Sequence, residues 1–329
     1  MSRPLIVAGA LAERIALPPD IPVLAEPISQ CRLVGTITAY EALVRSGWAD
    51  AHRPTEVIRV GAAPTSRVLN EWLAGLSLPY VAVDPDGLRR DPDGVATAFV
   101  DALPALPSVD AGWVEGWREA ERTARAALDR ALSQTLHEGA VIGALARALP
   151  EPATVFLGSS LPVRDADWFW PAAPAVRFLG NRGASGIDGL VSTGLGVAAA
   201  SAEPTVLLLG DLSLYHDMNG LWAVRRHGVR ATIVVLDNGG GGIFEFLPPA
   251  RHRDVFEEIF ATPLGLDFER VASLYGLEHI LVESVDQLQP SLETALRSDS
   301  SHLVQVRFSR AQSVAGHRAA WEAVAAALS

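Results

Sequence analysis

The 329-residue chain predicts an α/β fold of two doubly wound domains with mainly parallel sheets. Three observations carry that expectation. The stretches 205–209 and 231–236 are near-continuous apolar runs, the pattern of strands buried on both faces of a parallel sheet. Strand-like runs alternate with helix-like stretches along the whole chain, as in successive βαβ units. Gly210-Asp211 closes one strand and Asn238 closes the next. One βαβ unit thus brings a carboxylate and a carboxamide to the carboxyl edge of a sheet, where open α/β folds bind ligands.

The first domain is expected over 1–134. It opens on a strand at 5–8 and continues with strands at 57–61 and 80–84, with a helix at 64–73 between them. The turn Pro85-Asp86-Gly87 stops the third strand. Residues 113–132, rich in Ala, Arg and Glu, suit a helix that connects the two domains. The second domain is expected over 135–329, opening near Glu138. Its strands are placed at 154–157, 176–178, 205–209, 231–236 and 303–307. A crossover helix at 218–227 is closed by Gly228. The Ala-rich stretch 319–328 reads as a terminal helix, and no repeat or low-complexity tract interrupts the pattern.

Composition narrows the function classes. Hydrophobic residues make up 49% and charged residues 20%, as in a water-soluble globular protein. A formal charge of −11 argues against nucleic acid or an anionic membrane as the main partner. The single cysteine, Cys31, excludes an internal disulfide and a Cys-based zinc site, and suits a reducing cytoplasm. Neither a signal-peptide pattern nor an apolar span long enough to cross a bilayer is present, so no membrane insertion is expected.

The strand-end pair has a specific chemistry. Asp and Asn side chains, with a backbone carbonyl, are hard oxygen ligands suited to Mg²⁺ held partly by a substrate's phosphates. The run Gly239-Gly240-Gly241-Gly242 lets the backbone approach a phosphate closely with its N–H groups forward. The plainer alternative is an Asp that caps a helix and an ordinary Asn-Gly turn.

Four motifs in order carry a resemblance. They are Gly158-Ser-Ser-Leu-Pro-Val-Arg164, Asn181-Arg-Gly-Ala-Ser-Gly-Ile-Asp-Gly189, Gly210-Asp-Leu-Ser213, and Asp237-Asn-Gly-Gly240 running into Ile243-Phe244. The last two resemble the thiamine-diphosphate motif, which opens on Gly-Asp and closes on Asn. Together, and above all through the block at 181–189, the four resemble the menaquinone-pathway synthases that make 2-succinyl-5-enolpyruvyl-6-hydroxy-3-cyclohexene-1-carboxylate. The resemblance covers that family's central and diphosphate-binding domains and essentially the whole of this chain.

The resemblance implies a transferase that decarboxylates 2-oxoglutarate and adds the succinyl carbanion to isochorismate, using thiamine diphosphate and Mg²⁺. It implies that Asp211, Asn238 and the Gly240 carbonyl hold the metal. Leu212, Ser213, Gly241, Ile187, Ile243 and Phe244 would contact the cofactor, with Ile187 propping it in a bent conformation. Ser160, Arg164, Arg182, Arg67 and Leu247 would face the substrates, whose carboxylates suit guanidinium forks. Arg67 stands where several relatives have lysine, and His216 where many carry an aromatic.

The family's pyrimidine-binding domain, which supplies the activating glutamate, has no counterpart in the match, so no catalytic residue is assignable. The implied partner is therefore a pyrimidine-binding domain or subunit acting in trans, within a homo- or hetero-oligomer. Three alternatives stand beside this reading: a non-catalytic cofactor-binding or assembly module, another thiamine-diphosphate carboligase, or a nicotinamide enzyme. The last rests on Gly194-x-Gly196-x-x-Ala199, which lacks the strand a dinucleotide fingerprint needs directly before it.

Overall fold

The structure, a computed structural model, describes residues 2–106 and 108–329. The chain divides into two compact units. One comprises the residues up to Ala131 with Asp167–Pro174 and Ala320–Ser329; the other comprises Leu132–Ala166 and Ala175–Ala319.

The first unit holds β1 (Pro4–Ala8), β2 (Val23–Ala25), β3 (Glu56–Val60), β4 (Tyr80–Val83) and β5 (Ala98–Val100). They form one sheet in the order β2-β1-β3-β4-β5, every pair parallel. Ile6, Ile58, Val60 and Val83 belong to its core. The strands β2 and β5 escape sequence reading because three residues are too few to show a period. The expected helix at 64–73 is Arg67–Gly75, since Ser66 is its N-cap and accepts from the Leu69 N–H. A buried polar knot explains why Asp167–Pro174 clusters with this unit. Arg32 Nη2 lies 3.1 Å from Asp167 Oδ1, and the Tyr40 hydroxyl donates to the same oxygen.

The second unit holds β6 (Ala153–Leu157), β7 (Val176–Leu179), β8 (Thr205–Gly210), β9 (Thr232–Asp237), β10 (Glu278–Val282) and β11 (His302–Arg307). Their order is β10-β11-β9-β8-β6-β7, again all parallel. The apolar runs of β8 and β9 lie at its centre, packed with Leu190, Leu195, Phe268 and Tyr275 from helices Leu190–Ala200 and Phe268–Tyr275. The edge strand β10 was not expected; its residues are mostly half-buried or exposed, so it lacks the apolar run that marks a central strand.

One expected element is corrected. The connection from β8 to β9 is not a single helix over 218–227. It consists of a helix Asp211–His216, a 3₁₀ turn Met218–Leu221 and a helix Trp222–His227. The break falls at Asp217, whose carboxylate accepts from Ser192 N at 2.6 Å and Ser192 Oγ at 3.0 Å. Gly228, at φ 64°, does close the last helix. Among the described residues no helix is long and apolar enough to cross a membrane.

Candidate active site

The carboxyl ends of β6, β8 and β9 meet where the strand order turns, because β7 lies beyond β6 while β8 returns to its other side. A cavity of about 190 Å³ opens there. Asp211, the first residue after β8, is 4% exposed. Its Oδ1 accepts from Leu212 N at 2.8 Å and its Oδ2 from Gly240 N at 2.7 Å. Burial lifts this carboxyl to about 6, against the Leu212 N–H that favours the charged form and with the help of the nearby Asp237.

Asn238 follows β9 and is 7% exposed. Its Nδ2 donates to Glu138 Oε1 at 3.1 Å, whereas its Oδ1 has no hydrogen-bond partner among the described residues. The glycines after it are required by close approach. A Cβ on Gly240, where φ is 119°, would stand 2.1 Å from Ala261 O, and one on Gly241 would stand 2.3 Å from Phe260 O. Both oxygens come from the π-helical turn Phe256–Ala261, which backs the loop. The Gly240 carbonyl accepts from Gly242 N at 2.7 Å, and a carbonyl oxygen has a second lone pair.

The cavity brings together most of the sequence-predicted site residues. Ser160, Ile187, Asp211, Leu212, Ser213, Asn238, Gly240, Gly241, Ile243 and Phe244 all line it. Ser160 adopts a left-handed φ of 75°, a conformation that costs a non-glycine residue on the order of 1 kcal/mol. Ile187 also packs against the unit's core. Four predicted residues do not line the cavity. Arg164, on helix Leu161–Phe169, donates through Nη1 to the Ser160 carbonyl at 2.7 Å. Arg182 is exposed in the 181–189 loop, and Leu247 is half-buried just past the 3₁₀ segment Gly242–Phe246. Arg67 lies in the first unit, exposed and paired with Glu71 at 2.6 Å.

Sequence reasoning missed Glu138. It is fully buried at the start of helix Glu138–Ala148, lines the cavity, and accepts from Ser313 Oγ at 2.9 Å. The available signal was an acid opening a helix that is otherwise almost entirely apolar. His137, Glu138 and His317 also offer potential metal-ligand atoms within 4.8 Å of one another. Three of the four ring nitrogens have other partners. His317 Nδ1 donates to Ser313 O at 2.7 Å and Nε2 lies 2.9 Å from Asp165 Oδ1, while His137 Nδ1 accepts from Gly139 N. The residues that fit a hard cation are instead Asp211, Asn238 and the Gly240 carbonyl. They form an oxygen donor set with one buried amide oxygen unpaired, beside a backbone that no side chain could follow.

This fold, with its ligand cavity at the strand ends, is an α/β architecture of the thiamine-diphosphate-enzyme type. Residues 165–306 match the family described as thiamine pyrophosphate enzyme, C-terminal TPP binding domain. Over nearly its whole length the chain is similar to the 2-succinyl-5-enolpyruvyl-6-hydroxy-3-cyclohexene-1-carboxylate synthases. It is 40% identical over 355 residues to the protein of that name from Geobacillus kaustophilus, covering 98% of this chain and 60% of the relative. To the one from Geobacillus thermodenitrificans it is 39% identical, covering 98% and 59%. For Halobacterium salinarum the identity is 36%, covering 93% and 56%. The chain therefore spans roughly three fifths of the length of the curated relatives it matches.

Proposed function

We propose that this chain is the central and diphosphate-binding part of a thiamine-diphosphate-dependent carboligase, a transferase that acts on 2-oxoglutarate and isochorismate. The observation that carries the reading is the convergence, in one cavity, of the Asp211 carboxylate and the unpaired Asn238 Oδ1 beside the Gly240–Gly242 backbone. Asp211, Asn238 and the Gly240 carbonyl hold Mg²⁺, and Leu212, Ser213 and Gly241 bound the space for the diphosphate. When bound, the cofactor supplies carbanion stabilisation, and the protein supplies orientation and electrostatics.

The remaining roles follow from side-chain chemistry. Ile187 fills the space beneath the cofactor, and Ile243, Phe244 and Leu247 form an apolar wall that excludes water from a reactive centre. Ser160, Arg164 and Arg182 receive the substrates' carboxylates, the guanidinium groups by paired hydrogen bonds. A pyrimidine-binding domain supplied in trans, within a homo- or hetero-oligomer in the cytoplasm, contributes the activating glutamate.

Calorimetric titration with thiamine diphosphate and Mg²⁺ tests the site. Saturable binding is expected, and Asp211→Ala is expected to abolish its Mg²⁺-dependent part; unchanged affinity in that variant removes the metal assignment. Turnover of 2-oxoglutarate and isochorismate is expected only when a pyrimidine-binding domain is added. Turnover without it overturns the requirement for a partner. Bound cofactor with no turnover in either case leaves a cofactor-binding module.

A further inference from the structure

The two ends of the Asn238 carboxamide are treated unequally. Nδ2 donates to Glu138 Oε1, and Oδ1 is left unpaired in an almost fully buried residue. Exchanging the ends would set the amide oxygen against the Glu138 carboxyl and leave the NH₂ without that acceptor, an arrangement buried polar groups avoid. Glu138 is in turn anchored by the Ser313 hydroxyl on the same Oε1. Gly242 guards the other side. A Cβ there would lie 2.3 Å from Asn238 Nδ2 and 3.2 Å from Oδ1. One hydrogen bond and one missing methyl together leave the amide a single place to sit.

We propose that Glu138 is a positioning residue that fixes the Asn238 carboxamide with Oδ1 offered to the strand-end cation. This inference rests on the metal reading above. Outer partners of metal ligands act this way, and their loss typically costs about 10- to 100-fold in metal affinity. A purely structural Glu138 would join the helices Glu138–Ala148 and Arg310–Leu328 through Ser313, and its loss would lower stability without changing cation affinity.

The chain has only four asparagines, Asn70, Asn181, Asn219 and Asn238, which makes the amide directly observable. Selective ¹⁵N-asparagine labelling gives four side-chain NH₂ signals, and the Asn238→Asp variant identifies the one from Asn238. In the wild type that NH₂ is expected to exchange slowly with solvent, and in Glu138→Ala quickly. Mn²⁺ affinity in the presence of thiamine diphosphate is expected to fall about 10- to 100-fold in Glu138→Ala. It should be largely restored in Glu138→Gln, whose amide oxygen still accepts from Asn238. Gly242→Ala, which displaces the same amide with Glu138 intact, is expected to show a loss of similar size, and it decides the matter if Glu138→Ala does not fold. No Mn²⁺ binding by the wild type overturns the metal reading itself. Wild-type binding with unchanged affinity in Glu138→Ala or Gly242→Ala, or equal losses in the Ala and Gln variants, overturns the positioning role alone.

Discussion

Asp211 and Arg182 mark the two kinds of residue in the proposed site, and their surroundings separate the roles proposed for them. Asp211 is buried and takes a backbone N–H on each oxygen, so its geometry is set before any ligand arrives. Arg182 sits exposed in the loop that follows β7, outside the cavity lining. A charge held that way suits a carboxylate arriving from solvent and contributes little to a cation already enclosed. Arg182→Ala is therefore expected to raise the KM for an anionic substrate about tenfold, as for one lost charge-assisted hydrogen bond. Affinity for thiamine diphosphate should change less than threefold, on the order of 0.6 kcal/mol. Steady-state kinetics of the completed enzyme beside calorimetry of the cofactor would check this, and equal losses in both would remove the substrate role.

At the scale of elements, helix Leu190–Ala200 depends on a residue far from it in sequence. Its N-cap is Gly189, which has no side chain to offer, and the Ser192 N–H of its first turn is taken by Asp217. A carboxylate there satisfies an orphan donor and also complements the helix dipole. Asp217→Ala is expected to lower unfolding stability by about 1–2 kcal/mol, read as an earlier urea midpoint with an unchanged slope. Unaltered stability would mean that water replaces the cap. The same contact shows why some elements were legible in the sequence and others were not. The runs of β8 and β9 follow directly from burial on both faces, and Gly228 from its left-handed stop. The break at Asp217 depends on Ser192, which no local pattern announces. Edge strand β10 lacks the continuous apolar run that burial imposes on central ones, and β5 is only three residues long. The strand-end motifs name Asp211 and Asn238, but the part of Glu138 depends on Ser313 and Asn238 reaching it from distant segments.

At the scale of the whole molecule, the buried pair Asp165 and His317 gives stability a dependence on pH. Both side chains are wholly buried, and His317 Nε2 lies 2.9 Å from Asp165 Oδ1. Burial lifts Asp165 to about 7 even though the histidine opposes it. For His317, burial disfavours the charged ring, but the hydrogen bond and charge of Asp165, with Glu138 nearby, outweigh it and raise its value. The apparent values belong to the pair, which holds its protons more tightly folded than unfolded. Between the ordinary carboxylate value of 3.8 and about 7 the folded chain therefore binds more protons than the unfolded chain. The pair's contribution to stability is full below that window and is lost as pH rises through it, the raised histidine extending the loss to higher pH. In Asp165→Asn the carboxyl no longer titrates and the histidine loses its charged partner, so the pair's share of the slope should vanish, leaving that of the other raised carboxyls, Asp167 and Asp211. Urea unfolding from pH 4 to pH 8 should show wild-type stability falling relative to Asp165→Asn across the window and levelling above it. Parallel curves throughout would mean that the pair takes up no extra proton on folding.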